Sequence, residues 1–357
     1  MSKALYYPFI NIPEGSWLTQ SLLYWDELSC MSPSIYFEQP NLYNLHMQEY
    51  IREGLVIPLS PAYFIWDIKN FEDNFLEYLD SDDQVSRIQK RVYRGYRNNY
   101  LNIHFEKLGS ISDQLIKRGL AFKGQEEWLL VEPYVAIKFM TYLSFLIGSI
   151  TNYDPITTEN NSRYNFRKLP QSFKYSNLNN SGDIEINNYT VKINELWTSD
   201  KIRISREKIL NNLLPAPLGK ISAIDLLRFK DKHSVSLNAF RNYVEGFLID
   251  YESTIDELKE SKMEMFLANS REQQRQLEEE MHKYGWKHIN RFDLVLYGLD
   301  LLTTFNAYQD MDMRNVSLGL TKFGITILKS LSDNAQRLNN INKKPMSYII
   351  NASRIII

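Results

Sequence analysis

A single cysteine, Cys30, occurs in the whole chain. That excludes an intrachain disulfide and fits a reducing, cytoplasmic setting. Charge of one sign is lacking too: 41 Lys and Arg stand against 43 Asp and Glu, a net charge of −2. No global field therefore recruits nucleic acid or a membrane surface, and contact with nucleic acid would need a local patch. With only 14 glycines the sequence carries neither G-x-x-x-x-G-K-[ST] nor G-x-G-x-x-G, which excludes a nucleotide site on a standard glycine-rich loop. HExxH and CxxC are missing, and no two of His46, His104, His233, His282 and His288 stand at i, i+4. No metal and no cofactor are expected. There is no G-x-S-x-G elbow, and Cys30 has no sequence cue for a base, so it reads as a packed thiol.

Long hydrophobic runs are short of what a membrane needs. The longest, 135–150, is interrupted by Lys138, Thr141, Ser144 and Ser149 and falls below the ~20 residues of a span, so it reads as a buried helix. The N-terminus shows no apolar signal segment and no cleavage site, so neither secretion nor a membrane partner is expected.

What the chain has in surplus is aromatic, with 23 Tyr and 18 Phe among 357 residues. Such side chains supply large buried areas and also suit interfaces. The overall reading is α+β, mainly α, in four stretches. Residues 1–70 form an α/β segment: a strand at 4–10, a helix at 17–28 capped by Ser16, an extended piece at 29–36, a helix from Asn41 ended by Gly54, and a strand at 55–58. The order β-α-β-α-β predicts a partly parallel sheet. Residues 71–150 read as helical, with breaks at Gly95 and Gly109, a short strand or helix lead-in at 128–131 and an apolar helix at 132–150. Residues 151–205 read as polar loop, with a hairpin at 183–193 turning on Asn187-Asn188. Residues 206–357 read as a helical domain. It holds helices at 222–232, with Ser222 as cap, and at 237–251, then a charged, sparsely apolar arm at 255–284 that is exposed or folded into an antiparallel hairpin. Two more helices follow, at 291–308 and 316–338, before the apolar end at 355–357.

The most distinctive polar feature is basic. Arg87, Lys90, Arg91, Arg94 and Arg97 recur at three- and four-residue steps, interleaved with Tyr93, Tyr96 and Tyr100. Guanidinium groups bind phosphate and tyrosines stack on bases, which describes a nucleic-acid or partner strip. The same pattern describes a solvated face pairing with Asp80, Asp82 and Asp83. A second basic run comprises Lys201, Arg203, Arg206 and Lys208. Asp67, followed by Ile68 and Lys69, and the pair Asp183 and Glu185 loosely resemble the acids of a metal nuclease, and equally suit surface pairs or turns. Arg228 and Lys232, four apart on one helix face, suit an acidic partner, a phosphate or a structural ion pair.

Several segments run in a recognisable order over nearly the whole chain. They are Leu5-Tyr6-Tyr7-Pro8, Trp17-Leu18 and Leu23-Tyr24-Trp25-Asp26-Glu27-Leu28, then Gly54-Leu55-Val56-Ile57-Pro58. Mid-chain come Lys138-Phe139-Met140-Thr141-Tyr142-Leu143 and Pro155-Ile156-Thr157-Thr158. Leu214-Pro215-Ala216-Pro217, Leu227-Arg228-Phe229-Lys230-Asp231-Lys232-His233 and Phe240-Arg241 follow, with Pro345-Met346-Ser347-Tyr348 near the end. Together they resemble an uncharacterised family of bacterial proteins. The resemblance implies a bacterial source and a setting among mobile-element or anti-phage genes, and it brings no catalytic residue with it.

The expectation is a non-enzymatic interaction or scaffold component of a bacterial cytoplasmic assembly, with anti-phage defence as its setting and a protein partner or a second copy of the chain as its ligand. The alternative is a nucleic-acid-binding protein or metal-dependent nuclease. It would use the strip at 87–100 for substrate and Asp67, Asp183 or Glu185 for metal. A small-molecule enzyme on the α/β sheet is a weaker third option, since a fold by itself implies no function.

Overall fold

A computed structural model describes residues 2–65, 68, 71–93, 100–158, 184–186, 189–191, 193–215, 221–283 and 340–356, the side chains of 83, 91–93, 184–201, 280–283 and 354–356 excepted. Two compact units are distinguished: residues 1–232 with 248–254 and 356–357, and residues 233–247 with 255–355.

The first unit opens as the expected parallel β-α-β-α-β run. Strand β1 (Lys3–Tyr6) leads into α1 (Ser16–Tyr24), then β2 (Glu27–Met31), the short helix α2 (Ile35–Glu38), α3 (Leu45–Arg52) and β3 (Val56–Leu59). The first helix is shorter than expected. Gly15 is its N-cap, Ser16 its first residue, and Leu28, placed in the helix by spacing, belongs to β2. Gly54 ends the turn after α3 at φ +73°, a conformation that costs glycine little.

Both β1–β2 and β2–β3 pair in parallel, and the lead registers Lys3 opposite Glu27, whose side chains form a salt bridge at 3.1 Å. On the other side of β1 lies β7 (Asp154–Ile156), also parallel, a strand within the stretch expected to be polar loop. The sheet order is therefore β3-β2-β1-β7. Each edge strand carries a proline, Pro58 and Pro155, which is where a residue without an N–H is tolerated. The central strand β1 is buried on both faces: Tyr6 meets Trp17 of α1 at 5.7 Å, while Leu5 and Tyr7 join the core cluster on the opposite face.

Between β3 and β7 the chain builds α4 (Ala62–Ile65), α5 (Phe71–Asp80), α6 (Asp82–Tyr93), β4 (Leu101–His104), α7 (Phe105–Leu108), α8 (Ile111–Lys117), β5 (Ala121–Lys123), β6 (Trp128–Val131) and α9 (Pro133–Thr151). Strands β4, β6 and β5 form an antiparallel sheet in that order, so the stretch 71–120, expected to be helical, contains a strand. The N-terminus of α9 is set by Pro133 in its first turn and by the Glu132 carboxylate, which accepts the Val135 N–H at 2.9 Å.

α9 is the one helix among the described residues long and apolar enough to cross a membrane, and 72% of its apolar window is buried in the fold. Phe139 and Tyr142 pack on Phe71 and Phe75 of α5, with Phe75 stacked on Tyr142 at 5.4 Å and edge-on to Phe139 at 5.2 Å. The Tyr142 hydroxyl donates to the Phe71 carbonyl at 2.8 Å. A large part of the aromatic surplus is thus core.

Strands β8 (Ile184–Ile186) and β9 (Tyr189–Val191) make the expected antiparallel hairpin. Helix α10 (Ile193–Leu213) follows, so the polar loop ends earlier than expected and the boundary at 205 falls inside a helix. Helix α11 (Ala223–Lys232) has Ser222 as cap, its hydroxyl accepting the Asp225 N–H at 3.1 Å, and Glu49 of α3 accepts the Ala223 N–H at 3.1 Å.

In the second unit, part of α12 (Ser234–Glu252) pairs with the charged helix α13 (Asp256–Lys283). Phe266 stacks on Phe247 at 3.9 Å and on Tyr243 at 4.9 Å, and Tyr243 also bonds Ser270 at 3.0 Å. The register, 243 against 270 and 247 against 266, is antiparallel, so the arm is one side of a hairpin with Met263, Phe266, Leu267 and Leu277 buried. Helix α14 (Pro345–Ile356) stacks Tyr348 on Phe240 at 6.1 Å. The helices expected at 291–308 and 316–338 lie outside the described residues.

Candidate functional site

In an open parallel sheet, ligands favour the carboxyl ends of the strands where the winding direction reverses. That point is β1, from which the chain proceeds to β2 on one side while β7 lies on the other. A cavity of about 250 Å³ sits beside the segment that leaves β1. Its walls are residues 8–11 of that segment, Tyr36 beyond β2, residues 101–103 of β4, Lys107 of α7, Trp128 of β6, and Ala136, Ile137 and Met140 of α9. Most of the described lining is apolar, and Lys107 is the one formally charged side chain among the described residues that line it.

Lys107 is 3% exposed. Among the described residues no carboxylate and no hydrogen-bond acceptor pairs with its ammonium group. Burial lowers its pKa from 10.5 to about 8, with the nearby Cys30 pulling weakly the other way. Cys30 is itself fully buried, its Sγ 3.5 Å from the Ser32 hydroxyl, and desolvation raises its pKa to about 11. It is a packed, protonated thiol, as the sequence indicates. Tyr43, buried in the same region, packs edge-on to Tyr36 at 4.9 Å, and its pKa is raised chiefly by burial.

The short helix that carries Lys107 is held at its N-terminal end. His104 caps it, Nδ1 accepting the Glu106 N–H at 3.4 Å. The Glu106 carboxylate in turn accepts the N–H and the hydroxyl of Ser34, at 2.7 and 2.9 Å. His104 also lies 3.4 Å from Glu127 through Nε2 and edge-on to Trp128 at 5.1 Å. The ligand atoms of His104, Glu106 and Glu127 fall within 4.8 Å of one another, a grouping that sequence spacing did not reveal.

The hydrogen bonds give those three residues another job. With Nδ1 accepting, the neutral ring carries its proton on Nε2 and directs it at Glu127; a metal on Nε2 would turn Nδ1 into a second donor facing the Glu106 N–H. Burial lowers the His104 pKa, outweighing the two glutamates, which favours that neutral ring. The trio clips β4, α7 and the turn before β6 together.

A second hollow, of about 60 Å³, lies between α1 and α10. Its polar groups serve the seam: Arg206 pairs with Asp154 at 2.9 Å and stands over Trp25 at 5.4 Å, and Trp17 Nε1 donates to Glu207 at 3.4 Å. Arg206, one of the four residues of the second basic run, is thereby explained as packing.

Of the other residues singled out in the sequence, Arg87 and Lys90 are exposed on α6. Arg91 and Tyr93 belong to the same helix, with side chains outside the described set, and Arg94 and Arg97 lie outside it altogether. Asp80, expected to face this strip, is held by both Nη atoms of Arg118 at 2.5 and 3.0 Å. Asp67 and Asp183 lie outside the described residues, and Glu185 is described only as backbone of β8. Arg228 and Lys232 are exposed on α11, while Lys230 between them, which spacing did not single out, donates to the Trp25 carbonyl at 2.7 Å. No family model, curated protein or solved structure matches the chain.

Proposed function

We propose that the protein binds a small organic molecule in the cavity at the carboxyl edge of its parallel sheet. One observation carries the reading: a lysine that is 3% exposed, with no counter-charge among the described residues, stands in the wall of a mostly apolar space. A buried cation is costly, and a fold seldom retains one without use. An apolar pocket with a few convergent polar groups is the usual form of a small-molecule site. Saturation-transfer NMR with indole and benzyl alcohol as probes tests it. Transfer to both is expected for the native chain and its loss in Ile137→Trp, which fills the space; equal transfer in the two proteins, or none in the native chain, contradicts the proposal.

A second reading, the interaction component, is supported by α13. Leu258 and Met265 are 55% and 63% exposed and stand seven residues apart, on one stripe of the helix. The polar side is paired internally, with Arg275 bridging Glu272 and Glu279. Leu258→Glu with Met265→Glu is expected to abolish any self-association measured by light scattering, and a native chain that stays monomeric at high concentration counts against a homo-oligomer.

A further inference from the structure

We infer that the ligand of the Lys107 cavity is a small organic monoanion, its carboxylate or like-charged group set against the Lys107 ammonium and its apolar body filling the remaining space. This rests on the reading of the cavity as a ligand site and adds what the site selects. Charge argues for an anion. Among the described residues Lys107 is the one formally charged member of the wall, and the neighbouring carboxylates are committed elsewhere, Glu106 to Ser34 and the exposed Glu127 to His104. An ammonium without a buried partner is relieved by an incoming anion and not by a neutral or cationic group.

Stoichiometry argues for one negative charge, since one cation among the described residues lines the space. The remaining lining argues against a bare inorganic ion: Asn11 and Asn102 are outnumbered by apolar residues such as Ile103, Ile137 and Met140, which offer nothing to hydrate it. Size sets the scale: an apolar cavity of about 150 Å³ accommodates benzene, so one of about 250 Å³ suits roughly ten non-hydrogen atoms. Benzoate is a probe of that class.

Calorimetric titration of the full chain with benzoate, benzyl alcohol, benzylamine and inorganic phosphate decides it, repeated on Lys107→Met. Benzoate is expected to bind at least about tenfold more tightly than benzyl alcohol, with benzylamine weakest. In Lys107→Met that preference disappears while benzyl alcohol still binds, which also shows that the cavity is intact in the variant. Equal affinity of the native chain for benzoate and benzyl alcohol overturns the monoanion and leaves the cavity reading standing. Phosphate binding more tightly than benzoate overturns the apolar body. Binding of none of the four overturns both.

Discussion

The Glu106 carboxylate accepts two hydrogen bonds from Ser34, one from its backbone N–H at 2.7 Å and one from its hydroxyl at 2.9 Å. Ser34 lies two residues before Tyr36 and Glu106 lies next to Lys107, so this one contact fixes two walls of the cavity relative to each other. Glu106→Ala strands both Ser34 donors. A loss of about 1–3 kcal/mol in urea unfolding is expected, together with weaker benzoate binding. Glu106→Gln keeps an acceptor oxygen and is expected to fall between the two; a Glu106→Ala protein as stable as the native one contradicts the role.

Lys107 makes stability depend on pH in a defined direction. Its pKa is about 8 in the fold against 10.5 for the ordinary amine, so the unfolded chain holds the extra proton between those values and stability rises with pH there. Below about 8 the full penalty of the buried ammonium is present. Lys107→Met is therefore expected to be the more stable protein near neutral pH, by up to about 3 kcal/mol, with the gap closing as pH rises towards 10.5. Cys30, whose raised pKa acts in the opposite direction at high pH, is common to both proteins and cancels to first order in the comparison. A gap that is flat from neutral pH to the upper value refutes the assignment.

Cys30 should be chemically quiet. Thiolate is the reactive form, and a fully buried thiol with a pKa near 11 supplies little of it at neutral pH. Labelling by a disulfide reagent is expected to be at least about a hundredfold slower in the native chain than in urea. Rapid native labelling would place the thiol at an open surface.

Gly148 sits where α9 gives way to β7, and a Cβ there would lie 2.7 Å from the Tyr153 carbonyl oxygen and 2.9 Å from Pro155 Cγ. Alanine gains up to about 1 kcal/mol in helix propensity, but overpacking against backbone costs about 1–3 kcal/mol, so Gly148→Ala is expected to destabilise. A more stable Gly148→Ala protein would show that the junction can shift.

How far all this was legible follows from the range of each signal. The first three parallel strands are readable because apolar runs, the Gly54 turn and the intervening helices are local; α9, the 184–191 hairpin and the Ser222 cap are local too. β7 is three residues long, contains Pro155, and takes its partner β1 from about 150 residues earlier, so no local pattern marks it. β4 is four residues within a stretch whose periodicity is otherwise helical. Lys107 is a lone lysine on a one-turn helix, and its burial is produced by residues 8–11, 36 and 136–140, all distant in sequence. The basic strip was conspicuous because charge is easy to count, yet its described members, Arg87 and Lys90, are exposed in the way a solvated face requires. The stretches that carry the resemblance include core positions such as Leu5, Tyr6, Phe139 and Tyr142, and they touch the cavity wall at Pro8 and Met140.

The central claim is that Lys107, with no partner among the described residues, stands in a cavity that takes an anion. The measurement that meets it most directly is NMR titration of the Nζ signal in lysine-labelled protein, assigned by its loss in Lys107→Met. The account predicts one amine titrating near 8, moving up when benzoate is added and unmoved by benzyl alcohol. A Lys107 amine that titrates near 10.5 with or without benzoate would contradict it.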